Sequence, residues 1–236
     1  MVHATKRTKT TLLILCIAVG IALFTVPVKS STRPKLLVVG DSLTVGLFAT
    51  SEQNGFKHIL ADQLNADLGS CYGPGLIQII GCWQQYQNWQ PDIVVIEIGL
   101  NDVSNPQQTD TEWRSTYAAL VAQIQATGAQ VVLTTMFHGI GESHQDYATY
   151  ELYNQHIATV AANRGAVVAD AWEATRGCAG CISQQGTLSP FAPYWQGDNF
   201  HPSDAGHELI AQTIYEAMQH YAYLPAVSNS GAMGYP

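Results

Sequence analysis

The sequence predicts an α/β fold, a three-layer α/β/α sandwich around a central, mostly parallel five-stranded sheet. Three observations carry this expectation. Short apolar runs of strand length alternate with longer segments whose apolar residues recur at helical spacing, and repeated strand–helix order places neighbouring strands parallel with helices on both faces. Polar residues gather where the apolar runs end, which is the edge at which such sheets bind ligands. At 236 residues and 47% hydrophobic residues, the chain has material for one sizeable core, and two full domains would be cramped.

Residues 35–39 read as a short buried strand. Residues 56–64 follow as a helix with Phe56, Ile59, Leu60 and Leu64 on one face. A short extended segment is expected around 70–72, then a helix over 76–86. The run IVVIEI at 93–98 is the strongest strand signal in the chain. Tyr117, Leu120, Val121 and Ile124 define a helix over 113–126, with Asp110 or Thr111 available as its cap and Gly128 closing it. A strand at 131–134, a helix at 147–163 and a strand at 166–169 continue the alternation. The last helix, 203–221, is capped by Ser203 and turns Ile210, Ile214, Ala217 or Met218, and Tyr221 to the sheet. Residues 104–109, 136–145 and 172–199 lack a clear period and read as loops.

The ends differ from this pattern. Lys6, Arg7 and Lys9 precede an uncharged stretch from residue 10 to 28, the layout of a secretory signal, and Val28 and Ser30 offer small residues for cleavage after Ser30. An uncleaved anchor is the rival reading, since the stretch is just long enough to span a bilayer, but Gly20 and Pro27 interrupt it. Leu15 is too bulky to precede a lipoprotein cysteine at Cys16. The expected organisation is therefore a leader at 1–30, a catalytic domain at 31–221, and an uncharged tail at 222–236, with the domain secreted, periplasmic or at the cell surface. Loss of the leader removes Lys6, Arg7, Lys9 and Lys29 and no acid, lowering the formal charge from −8 to −12. So acidic a surface repels phosphate backbones, which excludes nucleic acid as an expected partner.

Outside the leader the cysteines are Cys71, Cys82, Cys178 and Cys181. In an oxidising compartment they suggest two disulfides, and proximity pairs 71 with 82 and 178 with 181, although three connectivities are open. A four-thiolate zinc site fits less well, because only CAGC at 178–181 has ligand spacing. That CAGC pair also lacks the preceding strand of a redox motif.

Three segments bring chemistry-bearing residues to the presumed active edge: Asp41 and Ser42 after the first strand, Asn101 and Asp102 after IVVIEIG, and DNFHP at 198–202. Singly, each reads as an ordinary turn or cap. Together they supply acyl transfer: a serine needs a histidine to take its proton, and the histidine works best with a carboxylate fixing its tautomer. Asp198 and His201 are three residues apart in a turn entering a helix, so one can reach the other. Oxyanion donors are available in the Ser42 amide, the Asn101 side chain and a glycine amide from the loop GPG at 73–75.

GDSLT at 40–44, GLND at 99–102 and DNFHPSDAGH at 198–207 resemble, in order and spacing, the first, third and fifth blocks of the SGNH hydrolase superfamily, the GDSL esterases and lipases. The resemblance implies a flavodoxin-like fold, with Ser42 as nucleophile, His201 as general base and later acid, and Asp198 as its carboxylate partner. Ser42, Asn101 and a glycine would form the oxyanion hole. The second block matches loosely: at SCYGPG, Gly73 fits by its distance from Gln90 and Pro91, with Gly75 second. An α/β-hydrolase elbow fits worse, because Thr44 stands where its second glycine belongs, and Gly40 with Gly46 falls short of a dinucleotide fingerprint.

Other residues read more plainly. Tyr194 and Trp195, with Phe191, lie just ahead of Asp198 and are candidates to line a substrate pocket, whereas Trp83, Tyr86 and Trp89 read as core or loop anchors. His138, Glu142 and His144 are more simply solvated than metal-binding, and the chemistry calls for no metal or other cofactor. His207 and His220 read as structural or exposed, and Asp41 and Asp102 as holding loop backbone. The resulting expectation is a serine esterase acting on a small-molecule or glycan ester with a short acyl chain, because no long apolar lid insertion is present. O-acyl transfer to a cell-surface glycan, or an inactive glycan-binding module on the same fold, are the alternatives.

Overall fold

The computed structural model describes residues 33–136, 144–176 and 201–223. Their centre is a five-stranded, all-parallel sheet built from β1 (Lys35–Gly40), β2 (Asp67–Tyr72), β3 (Ile93–Glu97), β4 (Gln130–Thr134) and β5 (Val167–Ala169). The strand order is β2-β1-β3-β4-β5, the flavodoxin-like order, so the chain reverses its direction of travel across the sheet at β1 and opens a crevice beyond the ends of β1 and β3. Leu36, Leu37, Val38 and Val39 of β1 are fully buried, as are Val94, Val95 and Ile96 of β3. Strands covered on both faces need apolar residues at every position, which is why these two read as continuous runs.

The helices are α1 (Ser42–Val45), α2 (Phe56–Gln63), α3 (Leu76–Tyr86), α4 (Leu100–Ser104), α5 (Asp110–Gln125), α6 (His144–Arg164), α7 (Ala171–Arg176) and α8 (Asp204–Tyr223). Contacts of α2 with α8, and of α8 with β5, β4 and α7, define one helical layer; α3, α5 and α6 contact one another in sequence as the other. Among the described residues no helix is long and apolar enough to cross a membrane. The leader 1–30 and the tail beyond residue 223 lie outside the described residues, as do Cys178 and Cys181.

Some expectations shift. α5 starts earlier than 113, and its cap is Thr109 rather than Asp110 or Thr111: Thr109 Oγ1 accepts from the Glu112 amide and Glu112 Oε2 accepts from the Thr109 amide, a reciprocal capping box. The polar first turn Asp110-Thr111-Glu112 carries no apolar residue to reveal the period. β2 runs the full length of β1 rather than 70–72 alone, because edge pairing with β1 holds DLGSCY extended where its own propensity is weak. On α8, Ile210, Ile214 and Met218 are buried as expected, but Tyr221 is exposed and its hydroxyl donates to the Gly165 carbonyl at 2.7 Å. The short helices α1 and α4 fall in segments read as turns or caps, and α7 falls largely within the loop read at 172–199, since one or two turns are too brief to show a period.

Cys71 at the end of β2 and Cys82 in α3 form a disulfide across a sequence separation of 11. It ties the strand end to the helix that follows the GPG loop. A Cys71→Ser/Cys82→Ser double variant is expected to lose about 2–3 kcal/mol of stability, the value for a closed loop of this length, as read by urea unfolding against the native protein.

Candidate active site

Gly40 ends β1, and Asp41 caps α1, its Oδ1 accepting from the Leu43 amide at 3.1 Å. The turn puts Ser42 at the first helical position above the sheet edge, where its amide belongs to a helix start that lacks intrahelical acceptors. Ser42 Oγ lies 2.8 Å from His201 Nε2. The two residues are 159 positions apart, brought together because β1 and the turn entering α8 reach the same sheet edge.

Asn101, in the first turn of α4 after β3, donates one Nδ2 hydrogen to Asp41 Oδ2 at 3.1 Å. Its second hydrogen is left for another acceptor. The neighbouring Asp102 is buried and its Oδ1 accepts from the Leu76 amide at 3.1 Å, which anchors the start of α3 beside α4. Asp41 and Asp102 thus hold loop backbone.

The glycines of the GPG loop separate by geometry. The Gly73 amide donates to the Gly40 carbonyl at 2.9 Å, which extends the β1–β2 pairing, and a side chain at Gly73 would come within 2.4 Å of Gln78 Cβ. Its N–H is therefore committed to the sheet and its lack of a side chain is explained by packing. Gly75 caps α3 in extended backbone, and a Cβ there would lie 2.9 Å from Asp102 Oδ1. Among the described residues nothing accepts from the Gly75 amide, which makes it the loop's available donor where the expectation favoured Gly73.

The residues beneath are acidic. Glu97, the last residue of β3, is fully buried and accepts from Thr44 Oγ1 at 3.1 Å. Burial pushes the Asp41 carboxyl up to about 6, opposed by the Leu43 amide and the His201 charge. Burial likewise raises Glu97, with the Asp41 charge adding to it, and raises Asp102 against the Leu76 amide.

His201 is also held from the side. Phe48 stacks on its ring at a centroid distance of 5.4 Å, from a backbone with φ of 66° that bulky side chains rarely adopt. Both ends of the Phe48 loop are fixed by α8. Asp204 accepts from the Thr50 amide and from Asn54 Nδ2, while His207 accepts from the Phe56 amide at Nδ1 and donates from Nε2 to the Leu47 carbonyl. Burial lowers the His207 pKa and keeps the ring neutral, as those two roles require.

The structure therefore brings Ser42, His201 and Asn101 together with Gly75 close by. Asp198, Tyr194, Trp195, Phe191, His138 and Glu142 lie outside the described residues, as does the side chain of His144. Sequence reasoning did not single out Phe48 or Glu97. Nothing in LFATS marks Phe48, but an acid inside the apolar run IVVIEI was a readable signal, since a fully buried glutamate is rare without a partner.

The profile of the GDSL-like Lipase/Acylhydrolase family matches residues 38–209. No curated protein matches the chain. Among solved structures, TesA is 20% identical, with a TM-score of 0.61 over 79% of this chain and 99% of that one. A catalytic mutant of Axe2, an acetylxylan esterase from Geobacillus stearothermophilus, is 22% identical, with a TM-score of 0.64 over 80% of this chain and 96% of that one. LAE5, an alpha/beta hydrolase enzyme from the metagenome of Lake Arreo, Spain, is 23% identical, with a TM-score of 0.62 over 79% and 95%. At these identities the structures speak to the fold, and the profile, spanning Ser42, Asn101 and His201, speaks to descent: the chain belongs to the GDSL-like lipase/acylhydrolase family, within the SGNH hydrolases.

Proposed function

We propose that this hydrolase is an extracytoplasmic serine esterase that cleaves short-chain acyl or acetyl esters through an acyl-enzyme. The observation that carries the reading is the 2.8 Å contact between Ser42 Oγ and His201 Nε2, made beside a helix start whose cap, Asp41, also takes the Asn101 amide. Ser42 Oγ attacks the ester carbonyl and its proton passes to His201 Nε2. The carbonyl oxygen becomes an oxyanion held by the amides of Ser42 and Gly75 and by the second hydrogen of Asn101 Nδ2. Collapse expels the alcohol, which takes the proton from His201. Water then attacks the acyl-enzyme, gives its proton to His201, and the acid leaves as Ser42 recovers its hydrogen. Asp198, three residues ahead of His201, is assigned as the acceptor for Nδ1–H that fixes the imidazole tautomer.

An acetylated glycan is the substrate we place first. The similarity to Axe2 suggests it, and Tyr72, 68% exposed at the end of β2 beside the GPG loop, offers an aromatic face on which a sugar ring can stack. The leader with its cleavage position after Ser30 supports action outside the cytoplasm.

Purified protein should hydrolyse p-nitrophenyl acetate and acetylated xylan, and Ser42→Ala should lower kcat by about 10⁴-fold or more. Equal rates for the variant and the native protein would overturn the reading. Asn101→Ala should lower kcat by about 10²–10³-fold with a much smaller change in KM, because its amide serves the transition state. Expressed with its full leader in a secreting host, the protein should be recovered outside the cytoplasm with Ser31 as its first residue, as read by N-terminal sequencing.

A further inference from the structure

We propose that Glu97 is a positioning residue of this site: as the neutral acid it donates a hydrogen bond to the Asp41 carboxylate, and so fixes the Asn101 amide and the first turn of α1 beneath Ser42. What the positioned groups accomplish rests on the esterase reading; the shared proton does not.

Glu97 pairs with Gly40 in the β1–β3 register, at the last position before the crevice. A Cβ on Gly40 would lie 2.7 Å from Glu97 Oε2 and 2.1 Å from Thr44 Oγ1, so the glycine vacates the space that the carboxyl and its hydroxyl partner fill. The Thr44 hydroxyl donates to Glu97 Oε2 at 3.1 Å, and the charge of the neighbouring Asp41 carboxyl acts directly on Glu97. No lysine or arginine neutralises either acid among the described residues. Two neighbouring buried carboxyls without a cation share one proton, because both charges in so dry a space repel strongly.

The surroundings decide which one keeps it. Glu97 faces Asp41 from the β1–α1 turn, Thr44 from α1 and Tyr117 from α5, whose hydroxyl burial holds un-ionised. Asp41 meets the amide of Leu43, the Asn101 side chain and the charge of His201, all of which favour its anion, while Asp102 on α4 opposes it. The charge therefore settles on Asp41 and the proton on Glu97. Asp41 then presents acceptors to Leu43 and Asn101 while its own orientation is fixed from below.

Glu97→Gln and Glu97→Leu in the full chain test this. Glutamine keeps a donor for Asp41; leucine leaves a buried carboxylate short of one, a loss that corresponds to a roughly tenfold to hundredfold fall in rate. On p-nitrophenyl acetate, Glu97→Gln should keep kcat within about threefold and Glu97→Leu should lose about thirtyfold in kcat with KM little changed. Equal losses in the two variants, or a leucine variant as fast as the native protein, overturn the proposal.

A second arm needs no activity. The native protein must release the Glu97 proton on unfolding above the ordinary carboxyl range, and the glutamine variant has none there to release. A raised folded pKa gives stability that is fully present below the ordinary carboxyl value and is lost as pH rises toward the folded one. As pH rises above the ordinary carboxyl range, the unfolding constant of the native protein relative to Glu97→Gln should therefore rise, by up to about tenfold per pH unit, in urea titrations. A ratio independent of pH overturns the shared proton. A pH-dependent ratio in a protein with no esterase activity upholds it and sinks the esterase reading alone.

Discussion

The geometry at the sheet edge depends on the buried carboxylate of Asp41. Its two oxygens bind two elements at once: Oδ1 closes the first turn of α1 through the Leu43 amide, and Oδ2 takes the Asn101 side chain from α4. A backbone turn alone would place Ser42, but it would not set Ser42 against a residue 59 positions further on. Burial makes the arrangement costly to ionise and correspondingly rigid once ionised, because the carboxylate has no water to exchange for its donors. Parallel β1 and β3 bring the two loops to the same edge, and one carboxylate converts that proximity into register.

The histidine half of the site is built by a different device. The loop between α1 and α2 is anchored on α8 at Asp204 and His207, and Phe48 leans from that loop onto the His201 ring. The DNFHPSDAGH segment therefore carries more than His201. Asp204 and His207 hold the wall against which its ring rests, which accounts for a histidine at position 207 that is fully buried and neutral.

The sequence was most legible where a residue's neighbours along the chain decide its state. The apolar runs of β1, β3 and β4 and the apolar faces of α2, α3 and α8 mark their elements within a few residues, since burial on one or both faces leaves a period or a continuous run. Ser42, Asn101 and His201 were legible because each follows a strand or opens a helix at the active edge. Less legible was anything fixed by contacts across the chain. Gly73 and Gly75 differ in nothing local; only the bond from Gly73 to Gly40 and the approach of Gly75 to Asp102 distinguish a glycine bound to the sheet from one whose amide has no acceptor among the described residues. Phe48 is a loop residue by every local measure, and its stacking is set by the anchoring of that loop on a helix more than 150 residues later.

Asp102 has a wider consequence for how such a site tolerates change. It follows Asn101 in α4 and grips the amide of Leu76, the residue after Gly75, so the side-chain donor and the backbone donor on either side of the crevice belong to one rigid clamp. On the proposed esterase reading, loops elsewhere around the edge can lengthen or change composition to admit a different alcohol or acyl group without altering the distance between these donors. The part of the site that recognises a substrate and the part that stabilises the reaction can thus diverge independently, with a single carboxylate serving as the gauge block between them.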